Sequence, residues 1–321
     1  MNLRKIASVF MVMLLLVGLV ACGDKANEST GEKETPAQTE ESAKVEEKEA
    51  EETPEATGDF DTSAEITLVS REDGSGTRGA FIEITGVEGK VDGEKVDQTS
   101  EEAMIQNSTN GVMTAVAGDP NGLGYISLGS LNDTVKALKV NGVAATAEGV
   151  KDKTYELARP FNLAWKEDVI GDIGKDLLVF IASPEGQQII NDQGYVGLEN
   201  GEAYTPANLE GTITVAGSTS VTPLMEALVE AYEGLNPGVS IEIQSTGSSA
   251  GMTSAMEGSA NIGMASRELK GEEAEALTSQ AIAMDGIAVI VNNENPLDDL
   301  SLEQIKNIYV GEILTWSDLE K

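Results

Sequence analysis

Along residues 60–321, apolar side chains recur with two periods, and the switches between them mark out strands and helices. Ile66-Thr67-Leu68-Val69-Ser70 reads as a strand, followed by a glycine-rich turn and a helix carrying Phe81, Ile82 and Ile84. Thr212 to Ala216 reads as another strand and ends in Gly217-Ser218-Thr219-Ser220. Pro223 then opens a helix whose Leu224, Leu228 and Tyr232 share a face, and Asn236-Pro237-Gly238 stops it. Val239 to Gln244 alternates like a half-buried strand and runs into Gly247-Ser248-Ser249-Ala250-Gly251, ahead of a short helix through Met252 and Met256. Ile282 to Val291 has the pattern of a buried strand. This alternation predicts α/β architecture with at least partly parallel sheets.

The start of the chain is patterned differently. Arg4 and Lys5 precede an uncharged, mostly apolar run from Ile6 to Val20. That run is shorter than the ~20 residues a membrane span needs and suits the core of an export signal. It ends in Leu19-Val20-Ala21-Cys22-Gly23, which resembles a bacterial lipobox, with the chain's only cysteine at the lipidated position. Residues 1–22 are therefore expected to be a lipoprotein signal peptide. Residues 23–59 are rich in Glu, Lys, Thr, Ala and Ser and are expected to form a disordered acidic tether. Lipid on Cys22 would hold the protein at the outer face of the cell membrane.

Composition removes whole classes of function. The chain has 321 residues, 55 acidic and 21 basic, no histidine, and a formal net charge of −34. Without histidine there is no Ser-His-Asp triad and no His-ligated zinc, and one cysteine forms no internal disulfide or CxxC knuckle. The acidity argues against a nucleic-acid partner, because phosphate backbones demand Lys/Arg surfaces. No catalytic residue, metal site or cofactor is expected, and the chain reads as a binding protein rather than an enzyme. Asp/Glu runs such as Glu272, Glu273 and Glu275, or Glu226 and Glu230, read as solvated helix faces. Trp165 and Trp316 read as packing, and Asn261 as structural.

Candidate chemistry repeats at three places, where a strand ends in a Gly/Ser/Thr turn that opens a helix: 73–77, 217–220 and 247–249. A helix start offers unpaired N–H groups and about half a positive charge, and glycine lets an anion approach the backbone. Together the three suggest a converging oxyanion site. Gly74, Gly76 and Gly79 also spell G-x-G-x-x-G, but a dinucleotide fold requires a buried second strand ending in an acid. The stretch from Glu88 to Glu102 is polar, so that alternative fails.

The run Ser70-Arg71-Glu72-Asp73-Gly74-Ser75-Gly76-Thr77-Arg78-Gly79 resembles the signature of the phosphate-binding proteins of bacterial phosphate ABC transporters. So do Gly217-Ser218-Thr219-Ser220, Gly247-Ser248-Ser249, Gly263-Met264-Ala265-Ser266-Arg267-Glu268-Leu269, Gln106-Asn107-Ser108-Thr109 with Gly124-Tyr125-Ile126-Ser127, and Ser183-Pro184-Glu185-Gly186-Gln187. The resemblance implies a two-lobed venus-flytrap fold of the periplasmic-binding-protein type, an inorganic phosphate ligand and membrane permease subunits as partners. It carries Thr219, Ser220, Ser248, Arg71, Ser75, Gly76 and Thr77 over as phosphate-binding residues, with Asp73 orienting Arg71. Glu268 becomes the candidate acceptor for the proton that distinguishes hydrogen phosphate from sulfate, with Arg267 as the alternative occupant of that position. Other tetrahedral oxyanions, or a surface sensor or adhesin of the same fold, remain alternatives. The order of the motifs differs from the family's: the SREDGSGT segment comes first and the GSTS segment begins near 217. The chain therefore reads as a circular permutant joined through roughly 198–211, with one lobe split between 60–158 and 287–321 and the other contiguous over 159–286.

Overall fold

The computed structural model describes residues 60–320 except 92, 199 and 200, so the export signal, the tether and Cys22 lie outside the described residues. The first strand β1 (Thr67–Arg71) leads into α1 (Gly76–Thr85), then a hairpin of β2 (Glu88–Val91) and β3 (Glu94–Asp97). There follow β4 (Met104–Gln106), α2 (Thr109–Ala117), β5 (Gly122–Ser127), the short strands β6 (Lys136–Ala137) and β7 (Lys139–Val140), and α3 (Ala147–Lys151). Next come β8 (Ala158–Trp165), α4 (Gly171–Ala182), α5 (Pro184–Asp192), β9 (Val196–Gly197) and β10 (Gly211–Gly217). The chain continues with α6 (Thr222–Leu235), β11 (Val239–Ser245), α7 (Ser248–Glu257), β12 (Ile262–Ala265) and α8 (Gly271–Ala276). It finishes with β13 (Thr278–Val291), β14 (Asp299–Leu300) and α9 (Leu302–Tyr309). No described helix is long and apolar enough to cross a membrane.

The α/β class expected from the sequence is the class observed. The main sheet has the order β11-β10-β12-β8-β13-β5-β1-β4. Twice within it, an early strand is flanked on both sides by later ones. Strand β10 lies between β11 and β12 and is parallel to both. Strand β1 lies between β4 and β5 and is parallel to both. Connections that leave a central strand in opposite directions open a crevice at the carboxyl ends of the strands. Strands β8 and β13 run antiparallel to their neighbours and join the two groups. Strand β13 pairs with β8 over 278–286 and with β5 over 287–291, so one strand serves both. It starts earlier than the apolar run predicts, because Thr278, Ser279 and Gln280 carry no apolar signal yet pair with Trp165, Ala164 and Leu163.

The apolar side chains gather around each group separately. Phe161, Leu163, Leu177, Ile181, Val215, Leu224, Leu228, Tyr232 and Ile262 form one core, and Ala283 is its last contributor along the chain. The face of α6 that the periodicity predicts is the face buried there. Leu68, Phe81, Leu123, Tyr125, Leu157, Ile287, Val289, Tyr309 and Trp316 form another. Each fully buried side chain of this size contributes about 1.5–3 kcal/mol. Phe81 stacks on Tyr125 with ring centroids 3.9 Å apart, and Tyr309 meets Phe81 edge-on at 4.7 Å. Both tryptophans are buried.

The last described residues fold back on the first. Tyr309 donates its hydroxyl to the Val69 carbonyl at 3.1 Å. The Ile66 amide donates to the Leu314 carbonyl at 2.8 Å and the Ser317 amide to the Thr62 carbonyl at 2.7 Å. Where a dinucleotide fold would need a second buried strand, β2 and β3 form a separate antiparallel hairpin. One surface expectation is corrected. Glu226 and Glu230 are exposed, but Glu273 is buried. Helix α8 is only six residues long, and Glu273 sits in its first turn, where its carboxylate accepts from the Lys270 amide at 2.8 Å and from both terminal nitrogens of Arg267.

Candidate anion-binding site

Five strand ends bring their turns to one place, and each arrives there for a local reason. Gly217 closes β10 at φ 144°, a conformation that glycine tolerates, and a Cβ there would lie 2.2 Å from the Met264 carbonyl oxygen. On that side the Ser218 amide donates to the Met264 carbonyl at 3.0 Å, and on the other the Gly217 carbonyl accepts from the amides of Thr246 and Gly247. Ser218 then folds over the start of α6, accepting from the amides of Ser220 and Val221 at 3.2 and 3.4 Å. Its hydroxyl donates to Ser266 Oγ, just past β12, at 2.9 Å. Ser248 is the first residue of α7, which has no side-chain cap, and its Oγ accepts from the Ser266 amide at 3.3 Å. Ser75 caps α1 by accepting from the Arg78 amide, and Ser108 caps α2 by accepting from the Gly111 amide.

Arg71 stands at the centre, with its side chain 2% exposed at the carboxyl end of β1. Its Nη2 donates to Thr219 Oγ1 at 2.9 Å and its Nη1 to Thr109 Oγ1 at 3.4 Å. Its backbone is held as well: the Arg71 amide donates to Tyr125 Oη at 3.3 Å, and Arg78 Nη1 donates to the Arg71 carbonyl at 2.6 Å. Burial pushes the Tyr125 hydroxyl up to about 12, so it stays protonated and shares a 2.9 Å bond with Ser70 Oγ. Thr77 Oγ1 lies 2.8 Å from Ser220 Oγ, and Thr109 Oγ1 lies 3.1 Å from the same oxygen. The Ser249 amide donates to the Gly74 carbonyl at 3.1 Å. Gly76 faces Ser248 and Ser266 so closely that a Cβ on it would sit 2.5 and 2.7 Å from their hydroxyl oxygens. The cluster thus holds one guanidinium and a set of neutral hydroxyls at helix starts, a donor set suited to an oxyanion.

Arg71, Ser75, Gly76, Thr77, Thr219, Ser220 and Ser248 are all brought together here. Two expected residues are not. Asp73 does not orient Arg71: its side chain is 97% exposed and meets Arg78 Nη1 at 3.3 Å. The turn after β1, closed by the Ser75 amide donating to the Glu72 carbonyl, carries Asp73 outward. Glu72 takes that role, accepting from Arg71 Nε at 2.8 Å and Nη2 at 2.9 Å, a bidentate pair. Glu268 is exposed, and its backbone carbonyl accepts from Arg267 Nη1, so its carboxylate does not join the cluster. Arg267 is turned into the pair with Glu273, and its Nη2 donates to Ser249 Oγ at 3.3 Å. Asn261 is structural: its Oδ1 accepts from the Thr214 amide and its Nδ2 donates to the Val169 carbonyl. Sequence reasoning did not single out Glu72, Thr109, Ser218 and Ser266 as site residues. Thr109 carried a usable signal, because Ser108-Thr109 opens a helix directly after a strand, as the three chosen turns do.

Comparison with known proteins places the chain as a whole. The sequence profile of the PBP superfamily domain matches residues 52–185 and 202–321. The chain is 42% identical over 321 residues to the phosphate-binding protein PstS 2 of Streptococcus pneumoniae serotype 4, covering all of both chains. It is 49% identical over 258 residues to PstS 2 of Streptococcus agalactiae serotype V, covering 80% of this chain and 88% of the relative. The crystal structure of a phosphate-binding protein of a phosphate ABC transporter from Streptococcus pneumoniae superposes with a TM-score of 0.64 at 48% identity, covering 80% of this chain and 100% of the other.

Proposed function

The chain belongs to the PstS-like phosphate-binding proteins of the periplasmic-binding-protein superfamily, and on that footing we propose that it captures inorganic phosphate at the Arg71 cluster and delivers it to the permease subunits of an ABC transporter. One observation carries the assignment of the site. Hydroxyls from Thr77, Thr109, Thr219 and Ser220, which are far apart in sequence, converge on one buried guanidinium and on one another. The tetrahedral anion is held by Arg71 and by hydroxyl and amide donors at the helix starts of 75–77, 218–220 and 248, with Ser266 and Thr109 added. Glu72, whose carboxylate lies against Arg71 where that of Glu268 does not, is our candidate, through the lone pairs that Arg71 leaves free, for the acceptor of the proton of hydrogen phosphate, which sulfate lacks. The protein binds and releases its ligand and carries out no covalent chemistry.

The two lobes are residues 60–158 with 287–321, and residues 159–286. The separation of the apolar cores supports this division, since the first draws on Leu157 and Ile287 and the second on Phe161 and Ala283. We read the order of the motifs as a circular permutation that works in the native protein; the Streptococcus pneumoniae relative, aligned from end to end, has the same order. Residues 1–22 direct export, Cys22 carries lipid, and residues 23–59 tether the binding unit to the outer face of the membrane.

Calorimetry with phosphate, sulfate and molybdate tests the ligand. Phosphate binds tightly and the other two weakly, whereas tight sulfate or molybdate binding reassigns the protein to another oxyanion. Arg71→Ala and Ser248→Ala each abolish tight phosphate binding while the fold persists. An unchanged phosphate titration in both overturns the site.

A further inference from the structure

The described residues contain four arginines, and all four are withdrawn from solvent. The side chains of Arg71, Arg78, Arg159 and Arg267 are 2%, 12%, 1% and 8% exposed. Each is matched with a carboxylate: Glu72, Asp97, Asp285 and Glu273 respectively. Three of them have contacts to the anion turns already described. Arg159 has none, and nothing in the phosphate-binding scheme uses it.

Its position is nonetheless specific. Arg159 and Asp285 are direct cross-strand partners on β8 and β13, with Nη2 3.0 Å from Oδ2. Strand β13 runs antiparallel to β5 and pairs Ile287 with Ser127, the last residue of β5. Asp285 therefore lies just past the carboxyl end of β5, on the side where β1 ends in Arg71. The pair sits where β13 passes from one apolar core to the other, since Ala283 belongs to one and Ile287 to the other. Arg159 Nη2 is bonded to Asp285, while Nε and Nη1 are buried without a partner among the described residues. Its guanidinium lies 5.5 Å above the Phe161 ring. Burial draws Arg159 down from its ordinary range, Asp285 holds it up, and the charge of Arg71 pushes it down again, so the two cations act on one another.

Resting on the phosphate-binding assignment, we infer that Arg159 is a second cation of the anion site, acting through its charge from beneath the cleft, with Asp285 setting how much of that charge the ligand feels. Contact with the anion is not required of it, so it is a positioning and affinity-setting residue. Arg159 is as fully paired as the other three arginines, so its effect on the anion depends on how its charge and that of Asp285 are placed, and a buried charge is screened far less than a surface one.

The test uses two variants that break the same ion pair. Arg159→Gln leaves Asp285 uncompensated under the cleft, and phosphate affinity by calorimetry falls roughly tenfold, the order expected for one unit charge acting through protein interior. Asp285→Asn leaves Arg159 uncompensated, and phosphate affinity rises severalfold. Shifts in opposite directions are the signature of a field, because a purely structural pair weakens binding whichever partner is removed. Shifts in the same direction, or none beyond twofold, overturn the inference. Should either single variant fail to fold, the neutral double variant R159Q/D285N stays within about threefold of wild type if net charge is what counts, and a tenfold loss overturns the inference. A wild-type chain that does not bind phosphate refutes the function itself, which separates that failure from a failure of Arg159's role.

Discussion

Gly76 gives direct access to the face where the anion turns meet. A Cβ on this residue would lie 2.5 Å from Ser248 Oγ, 2.7 Å from Ser266 Oγ and 3.1 Å from Ser248 Cβ. Neither hydroxyl is free to swing aside, because Ser248 Oγ accepts from the Ser266 amide and Ser266 Oγ accepts from Ser218. Gly76→Ala therefore forces the paired strands β1 and β4, with the turn of 75–77, Arg71 and Thr109 that they carry, away from the turns of 218–220 and 248. Such a separation breaks the hydrogen bonds Thr77–Ser220, Thr109–Ser220 and Arg71–Thr219. At about 0.5–1.5 kcal/mol net for each, the cost is roughly 1.5–4.5 kcal/mol, or about ten- to a thousandfold in phosphate affinity. The bonds lost join the two groups across the cleft and belong to neither apolar core, and within α1 itself alanine is better than glycine by up to about 1 kcal/mol, so each group keeps its own fold. Binding and stability should thus move in opposite directions, read by calorimetry and by thermal melting. Gly79→Ala is the control: it lies in the same helix, but its Cβ would meet only Arg267 Cδ at 3.6 Å, an ordinary approach. If Gly76→Ala binds phosphate within threefold of wild type, or if Gly79→Ala weakens binding as much, the turns do not form a closing face.

Three further outcomes concern stability. Burial raises the Glu273 carboxyl, but bonds from Arg267 and the Lys270 amide outweigh it and hold the group below its ordinary 4.5. A carboxyl depressed in the fold stabilises above its unfolded value and loses that contribution as pH falls through the folded one, so wild-type melting temperature drops more steeply than that of Glu273→Gln as pH falls below 4.5. At neutral pH the same variant leaves Arg267 buried without its partner and loses on the order of 3 kcal/mol by denaturant titration. Trp316→Ala empties a buried site packed edge-on against Phe60 at 5.9 Å and lowers stability by about 3–5 kcal/mol, while phosphate affinity per folded molecule, measured by calorimetry, is unchanged.

What the sequence revealed follows from what is local. The strand–turn–helix units were legible because a period change, a glycine and a hydroxyl cap all lie within a few residues of one another. The partner of Arg71 was not, because whether Glu72 or Asp73 turns inward depends on one tight turn, and the two differ by one position. Glu273 reads as one acid in a run of acids, and only the shortness of α8 and the position of Arg267 draw it inside. Arg159 gives no sign in sequence at all. Its importance arises from a register between β8 and β13 that brings it opposite Asp285, 126 residues away. Pairings of that span are decided by which strands share a sheet, and local pattern is silent on them.

The return of the last residues onto the first also has a meaning in time. Val69 and Tyr309 are 240 residues apart, and β1 and α9 pack against one another only after nearly the whole chain has been synthesised. The group built on β10, β11 and β12 depends on closer neighbours and completes earlier. Vectorial synthesis therefore presents an exposed, half-finished first core for most of the chain's emergence. A nascent chain of this order can pair β1 with β4 and β5 early, but β5 waits for β13 and the core around Phe81 waits for Tyr309 and Trp316, so the step that completes the fold is also among the last to become possible.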